Sequence, residues 1–264
     1  LATDFSEAAH AAFEHALAIA LARRASLTLL HAGREAGPPW DDFPHVRETL
    51  ARWGGHGSDG PAARAGLHVA KRVVRTEHPL SGILETAEAQ EPDLIVLARR
   101  ALRPWGRASV SAGTARRAPA PVLVTAEGGR GFVDPATGAL RLGRVLAAVA
   151  RRPDPRAGLR EVRRLAALRG AEDAAPAVEL FHAGPEAEAP RISDRALPGA
   201  VVTRTATPGG EPAAAIAARA EATDADLVVL TREGRRGVLD LLLGSTTERV
   251  LERATRPVLA VPAD

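Results

Sequence analysis

Short apolar runs alternate with amphipathic segments along this chain of 264 residues. A strand that is buried on both faces appears in sequence as a short apolar run, whereas a surface helix repeats its apolar positions every three or four residues. The first half predicts a first helix capped by Ser6 and another at 79–90 with proline near its start. Its strands are expected at 1–3, 26–31, 69–74, 94–98 and 122–125.

The second half predicts the same order of elements. Its strands are expected at 145–149, 178–181, 201–205, 227–230 and 258–261, and its helices at 156–169, 212–222 and 246–254. Strands that alternate with helices imply βαβ units and a parallel sheet. Each half is therefore predicted to be an α/β fold, a five-stranded parallel sheet with helices on both faces.

The two halves also match in sequence, which predicts a duplicated domain. The matching pairs are 79–83 with 212–216 and 93–97 with 226–230 at an offset of 133, 117–123 with 253–259 at an offset of 136, and 30–33 with 181–184. A unit of this length is a domain rather than a solenoid repeat. We predict a first domain at 1–126, a Gly- and Pro-rich linker at 127–139 and a second domain at 140–264.

Composition narrows the classes of function. The absence of cysteine excludes disulfides, thiolate metal sites and cysteine nucleophiles. No apolar run is long enough for a membrane helix and no leader is visible, so we expect a cytoplasmic protein without a membrane partner. The pI near 10.6 accompanies a net charge of only +3, because arginine replaces every lysine except Lys71. Acidic residues are interleaved with the basic ones, and aromatic residues make up only 3% of the chain. We therefore expect no nucleic-acid partner.

One loop of the second half has residues suited to an anion. Glycine lets the backbone approach a ligand closely, and the unpaired amides at a helix start favour phosphate. The residues that would do so are Gly234, Gly237, Gly244, Ser245 and Thr246. A structural alternative stays open, since Ser245 and Glu248 also form a capping box. A Walker A loop is excluded because this loop holds no lysine.

The segment from Asp226 to Leu259 resembles the C-terminal signature of the universal stress protein family. Nucleotide-binding members carry Gly, two residues, Gly, nine residues, and then Gly followed by Ser or Thr. Gly234 and Gly244 fit this spacing, whereas Thr231 replaces the first glycine. Residues 2–8 and 29–31 are similar to the family's first strand with its helix start and to its second strand. The resemblance spans nearly the whole chain and implies two Rossmann-like domains of the adenine nucleotide alpha hydrolase-like type.

The resemblance also implies a nucleotide site, divided between the copies. In the family, the acid after the first strand and the residue that ends the second strand hold adenosine, and the glycine loop holds phosphates. The first copy has alanine at 98, 101 and 108 in place of the glycines, and the second copy has Ala150 in place of the acid, beside Arg151. The predicted second-copy residues are Thr231, Gly234, Gly237, Gly244, Ser245, Thr246 and Ala183. The weaker first-copy candidates are Thr3, Asp4, Ala32 and Ser109.

The histidines and serines form no recognisable catalytic or metal-binding set. His10 and His15 lie five residues apart on a predicted helix, which differs from the four-residue spacing of helical metal pairs. His31 and His182 recur at the same strand end in both copies, which favours a structural role. The 56–60 segment lacks the order Gly-x-Ser-x-Gly. We therefore expect no metal site and no enzyme.

Two functions of different classes stay open. The first is a stress-response regulatory protein that binds ATP or another adenine nucleotide, with Mg²⁺ as its companion. The second is a nucleotide-free tandem scaffold, which the changes at Ala150 and Thr231 favour. Single-domain relatives pair through their final strands. Residues 122–124 and 258–260 are therefore expected to form a pseudo-dimer within the chain, and a homodimer is a further expectation.

Overall fold

The computed structural model describes residues 1–34, 40, 45–54, 66–100, 109–170, 173–207, 209–233 and 246–264. Strands and helices alternate through the first copy. In chain order they are β1 (Ala2–Thr3), α1 (Ala8–Arg23), β2 (Leu27–Gly33), α2 (Val46–Arg52), β3 (Val69–Arg75), α3 (Pro79–Gln90), β4 (Ile95–Arg99), α4 (Val110–Arg117) and β5 (Val122–Ala126). All five predicted strands are present, and α2 is an addition to the prediction.

The second copy repeats this order. Its elements are β6 (Arg144–Ala148), α5 (Arg156–Ala166), β7 (Ala177–His182), two 3₁₀ turns (Glu186–Glu188 and Asp194–Ala196), β8 (Val201–Ala206), α6 (Pro212–Ala222), β9 (Leu227–Arg232), α7 (Thr246–Arg253) and β10 (Val258–Pro262). Each predicted strand and helix has its counterpart, with ends that differ by up to three residues.

The predicted cap of the first helix is wrong. Helix α1 begins at Ala8, and its N-cap residue Glu7 makes no side-chain capping hydrogen bond. The Ser6 hydroxyl instead donates to the carboxylate of Asp4 over 2.5 Å, and the Ser6 amide donates to the same oxygen over 3.0 Å. These two hydrogen bonds orient Ser6 toward the loop before the helix, and α1 begins without a side-chain cap.

The two copies share one strand order. In the second copy the parallel strands run β8-β7-β6-β9-β10. In the first copy β3-β2-β1 and β4-β5 are parallel groups, and β1 lies against β4. Strand β1 has two residues, and in the described part of the chain its only ladder joins β2. Both copies are doubly wound, and their order reverses between β1 and β4 and between β6 and β9.

The copies join through their final strands. Strand β5 pairs antiparallel with β10, so that Val124 lies opposite Val258, Leu123 opposite Leu259 and Val122 opposite Ala260. The resulting seven-stranded sheet extends from β4 to β8. The expected pseudo-dimer within one chain is therefore confirmed, at the expected residues.

Helices cover both faces of the sheets. One apolar cluster joins α1 and α5 to inward-facing strand residues such as Leu123 and Leu259. The other joins α3, α4, α6 and α7 to the alternate residues such as Val122 and Val258. Because successive side chains of a strand point to opposite faces, each strand contributes to both cores.

The segment that links the copies packs against the first of these cores. Phe132 is 2% exposed, and its amide donates to Nε2 of His15 over 3.0 Å. Nδ1 of His15 donates to the carbonyl of Ala11 over 2.7 Å. Burial lowers the pKa of His15 to about 4. Within the described residues, no helix combines the length and apolar character needed to cross a membrane.

Candidate functional site

Three of the candidate residues lie at the carboxyl edge of the second copy's sheet. Ala183 follows β7, Thr231 lies near the end of β9, and Thr246 is the first residue of α7. In doubly wound folds, ligands bind in the crevice at this edge where the strand order reverses. The other predicted residues, Gly234, Gly237, Gly244 and Ser245, lie outside the described residues.

Thr231 is tied to the start of helix α5. Its hydroxyl accepts a hydrogen bond from the amide of Gly158 over 3.2 Å and lies 3.4 Å from the carbonyl of Pro155. A Cβ at Gly158 would lie 2.6 Å from this hydroxyl, so the close approach requires glycine. The side chain of Thr231 therefore fixes α5 against β9.

In each copy, the histidine of the repeated His-Ala-Gly segment forms a hydrogen bond from the second strand to the backbone at the end of the first strand. We call this contact the histidine clip. Nδ1 of His182 lies 2.9 Å from the carbonyl of Val149, just past β6. In the first copy, Nδ1 of His31 lies 3.0 Å from the carbonyl of Thr3. A carbonyl only accepts, so Nδ1 is the donor in both contacts. This geometry accords with the structural role expected from the repeat.

The clip also explains the glycine two residues after each histidine. A Cβ at Gly184 would lie 2.8 Å from Nε2 of His182, and one at Gly33 would lie 3.0 Å from Nε2 of His31. Because Val149 occupies the place of Thr3, the next residue, Ala150, stands where the first copy has Asp4. The structure thus supports the alignment that places alanine at the acid position.

Arg151, the residue after Ala150, forms a hydrogen bond within the protein. Its guanidinium donates to the carbonyl of Ala187 over 2.7 Å at an exposed position. This contact joins the segment after β6 to the 3₁₀ turn after β7.

The first-copy candidates lie at the corresponding edge, and neighbouring residues hold most of them. Asp4 accepts two hydrogen bonds from Ser6 and lies 3.5 Å from the guanidinium of Arg100, the residue after β4. The Thr3 hydroxyl accepts from the amide of the residue after Asp4 over 3.0 Å. Ser109 caps α4, and Ala32 is half-buried in β2. The acid of this copy is thus already paired with a cation.

Sequence reasoning missed a pair of arginines that cross between the copies. Arg232 ends β9, and its guanidinium donates to the carbonyl of Ala118, the residue after α4. Arg99 ends β4 and donates over 2.7 Å to the carbonyl of Ala254, the residue after α7. A cation at a helix C-terminus complements the unpaired carbonyls there. The offset of 133 between Arg99 and Arg232 is the one signal in the sequence that could have revealed the pair.

The chain is a tandem α/β protein. Its two doubly wound domains join in one sheet through their final strands, and the candidate site lies at the carboxyl edge of the second. A model of the universal stress protein family matches residues 1–126 and again 137–262. The chain belongs to the universal stress protein family. Membership supports a role in the stress response. No protein of curated function matches the chain.

Solved structures share the fold over almost the full length. A universal stress protein from Archaeoglobus fulgidus DSM 4304 has a TM-score of 0.66 and 18% identity, over 100% of this chain and 97% of that chain. A protein from Pseudomonas aeruginosa UCBPP-PA14 has a TM-score of 0.59 and 19% identity, over 96% of this chain and 88% of that chain. At these identities the similarity concerns the fold.

The described part of the chain contains no preformed metal site. There, no group of three or more His, Asp or Glu side chains could hold an ion.

Proposed function

We propose that this protein is a stress-response regulator that binds ATP or another adenine nucleotide at the carboxyl edge of its second copy. The observation that carries the proposal is the position of the glycine segment. Strand β9 ends at Arg232 and helix α7 begins at Thr246, so Gly234 and Gly244 lie between a strand's carboxyl end and a helix start. This is the position at which backbone amides and the helix dipole favour phosphate.

The second copy supplies the better site. The amides at Gly234, Gly237, Gly244, Ser245 and Thr246 would hold the phosphates, and the backbone at Ala183 would face the nucleoside. In the first copy Ala108 stands where the last glycine belongs, and Asp4 is paired with Arg100. A nucleotide in the first copy would have to displace this ion pair.

Binding without turnover is the activity that we propose. A nucleotide hydrolase needs a base or metal ligands beside the phosphates. In the described part of the site, the Thr231 hydroxyl already contacts Gly158 and Pro155, and Thr246 is the first residue of helix α7. The output of binding would then be a change of conformation or partner.

Isothermal titration calorimetry with ATP tests the proposal. We expect Gly244→Glu to weaken ATP binding by about tenfold or more, because a carboxylate and a bulky side chain enter the phosphate position. Ala108→Glu, at the corresponding position of the first copy, is the matched control and should change the affinity less than about twofold. Equal ATP affinity in Gly244→Glu and the wild type would refute the site.

A nucleotide-free tandem scaffold is the second candidate. Ala150 favours it, since the hydrogen bond from His182 to Val149 places Ala150 at the position of the missing acid. A scaffold should bind neither ATP nor adenosine in equilibrium dialysis and should carry no nucleotide in native mass spectrometry. Co-purification of an adenine nucleotide would exclude this candidate.

A further inference from the structure

A cavity of about 730 Å³ lies between the copies, at the sheet edge opposite to the candidate nucleotide site. Its wall is formed by the last turns of α1, the end of α2, the linker at 137–143 and, from the second copy, residues 168–170, 173 and 226. Gly143 and Asp226 directly precede β6 and β9, which places the cavity at the amino edge of the second copy's sheet. Small-molecule sites have volumes of this order and often lie between domains.

The wall is mainly apolar because helix α1 is apolar on nearly all of its sides. Ten of its sixteen residues are buried, and a helix of this kind needs cover on its outer face as well. At its last turns, Leu21 and Ala22 face the cavity. Leu50 of α2, Leu140 of the linker and Leu168 of the second copy extend this apolar surface around the cavity.

Trp53 forms a flat aromatic side of the cavity, and the linker holds it in place. Its Nε1 donates to the carbonyl of Pro135 over 3.0 Å. Gly138 packs directly against the ring, since a Cβ there would lie 2.4 Å from Cε3 of Trp53, and its φ of +71° also favours glycine. An antiparallel bridge between Val133 and Leu140 closes this loop of the linker. The indole is therefore a preformed surface on which a planar ring can stack.

The two acidic side chains of the wall already have partners within the protein. The carboxylate of Asp226 accepts from the backbone amides at 143 and 144 over 2.9 and 2.8 Å, and from the guanidinium of Arg130 over 2.5 Å. Asp173 accepts from the amide of Gly170 over 2.9 Å. Neither acid needs a cationic ligand to satisfy it.

The two basic side chains of the wall are also paired. Arg141 donates to the carboxylate of Asp134. Arg169 donates to the carbonyl of Ala174 and lies 3.8 Å from the carboxylate of Asp173. A charged ligand would therefore lose its hydration and find no unpaired counter-charge among the described residues of the wall.

We propose that this cavity binds an uncharged, mainly apolar small molecule with an aromatic ring, which stacks on Trp53 and covers the leucines of the wall. Contact with such a molecule removes apolar surface of both partners from water, which is the favourable term that the wall offers. This site lies at the amino edge of the sheet, so it is separate from the proposed nucleotide site and does not depend on it.

Fluorescence titration of the full chain with N-phenylnaphthylamine tests this inference. This probe is uncharged, and anilinonaphthalene sulfonate has the same rings with an added sulfonate. We expect saturable binding of the uncharged probe and about tenfold weaker binding of the sulfonate. ATP should leave the affinity for the uncharged probe within about twofold. Equal affinities for the two probes, or displacement of the uncharged probe by ATP, would overturn the inference.

A substitution at Ala22 locates the site. Ala22 is exposed and lines the cavity, so Ala22→Trp places an indole in the space of the ligand and should weaken the uncharged probe by about tenfold or more. Ala218→Trp is the matched control, since Ala218 is exposed on α6, which packs on the other face of the sheet. It should leave the affinity within about twofold. Equal affinities in the two variants would place the probe outside the cavity and refute the site.

Energy transfer from tryptophan to the bound probe gives a readout that does not depend on affinity. At saturating probe, Trp53→Phe removes the donor beside the cavity and should lower the transfer more than Trp40→Phe does. Trp40 lies in the first copy against Phe5, with 4.9 Å between the ring centroids. A larger loss of transfer in Trp40→Phe would contradict the position of the ligand on Trp53.

Discussion

The buried imidazole of His15 makes the stability of the fold depend on pH. The ring is 2% exposed, and burial lowers its pKa from 6.5 to about 4. As the pH falls below 6.5, the unfolded chain takes up the proton before the folded chain does. The stabilisation is therefore complete above pH 6.5 and is lost progressively towards pH 4, by at most about 3 kcal/mol.

Urea denaturation between pH 7.5 and pH 4.5 measures this effect. We expect the free energy of unfolding to fall with pH in the wild type, and His15→Gln to flatten the slope within this range. His10→Gln, at an exposed position of the same helix, is the control and should keep the wild-type slope. An unchanged slope in His15→Gln would show that other groups cause the dependence.

The imidazole of His15 also leaves no space for a side chain at Gly131. A Cβ at this position would lie 2.3 Å from Cε1 of His15, whose ring is held by hydrogen bonds at both nitrogens. Gly131→Ala should therefore cost about 1–3 kcal/mol in the free energy of unfolding. Gly143→Ala is the matched control, since its Cβ would lie 3.6 Å from the Asp226 carboxylate, and should stay within about 0.5 kcal/mol. Similar costs for the two variants would contradict this explanation.

At the scale of elements, the histidine clip couples two residues that the sequence repeats together. Gly184→Ala alone should destabilise the second copy, because the new Cβ meets a ring that is 9% exposed. Adding His182→Ala removes the clash, so the double variant should be more stable than the sum of the single effects by about 1 kcal/mol or more. The first-copy pair, Gly33→Ala with His31→Ala, should show a smaller coupling because His31 is less buried than His182. Additive effects in both pairs would refute the clip.

The elements that the sequence predicted best carry strong local signals. Helices α3 and α6 have the predicted bounds, and both begin with proline at their first position. Helix α2 was not predicted. Only Thr49 and Leu50 of its seven residues are buried, so its sequence shows no apolar repeat. The glycine segment was predicted from its residues together with the family resemblance, and Gly234, Gly237, Gly244 and Ser245 lie outside the described residues.

The contact that Arg232 makes was missed for a physical reason. Its partner is a backbone carbonyl 114 residues away, and a carbonyl leaves no trace in sequence. The pairing of β5 with β10 was expected from the family resemblance, because single-domain relatives pair through their final strands. The packing of the linker through Phe132 was not predictable, since it depends on His15, which lies 117 residues away.

At the scale of the whole molecule, the shared sheet should make the two copies unfold as one unit. Leu123 and Leu259 face each other across the β5–β10 ladder and are 0% and 1% exposed. Separating the copies would expose these side chains and break the ladder, so a state with one folded copy is disfavoured. The chain offers a direct probe of this coupling, because its tryptophans, at 40, 53 and 105, all belong to the first copy.

Tryptophan fluorescence therefore reports unfolding of the first copy, whereas far-UV circular dichroism reports both. We expect the two urea transitions to coincide in the wild type. Leu180→Ala, a buried change in β7 of the second copy, should cost about 2–5 kcal/mol and lower both midpoints equally. Val201→Ala, at a 58% exposed position of the neighbouring β8, is the control and should move neither midpoint appreciably. An unchanged fluorescence midpoint in Leu180→Ala would mean that the copies fold independently. The destabilisation would then be confined to the second copy and would not reach the first copy across the β5–β10 ladder.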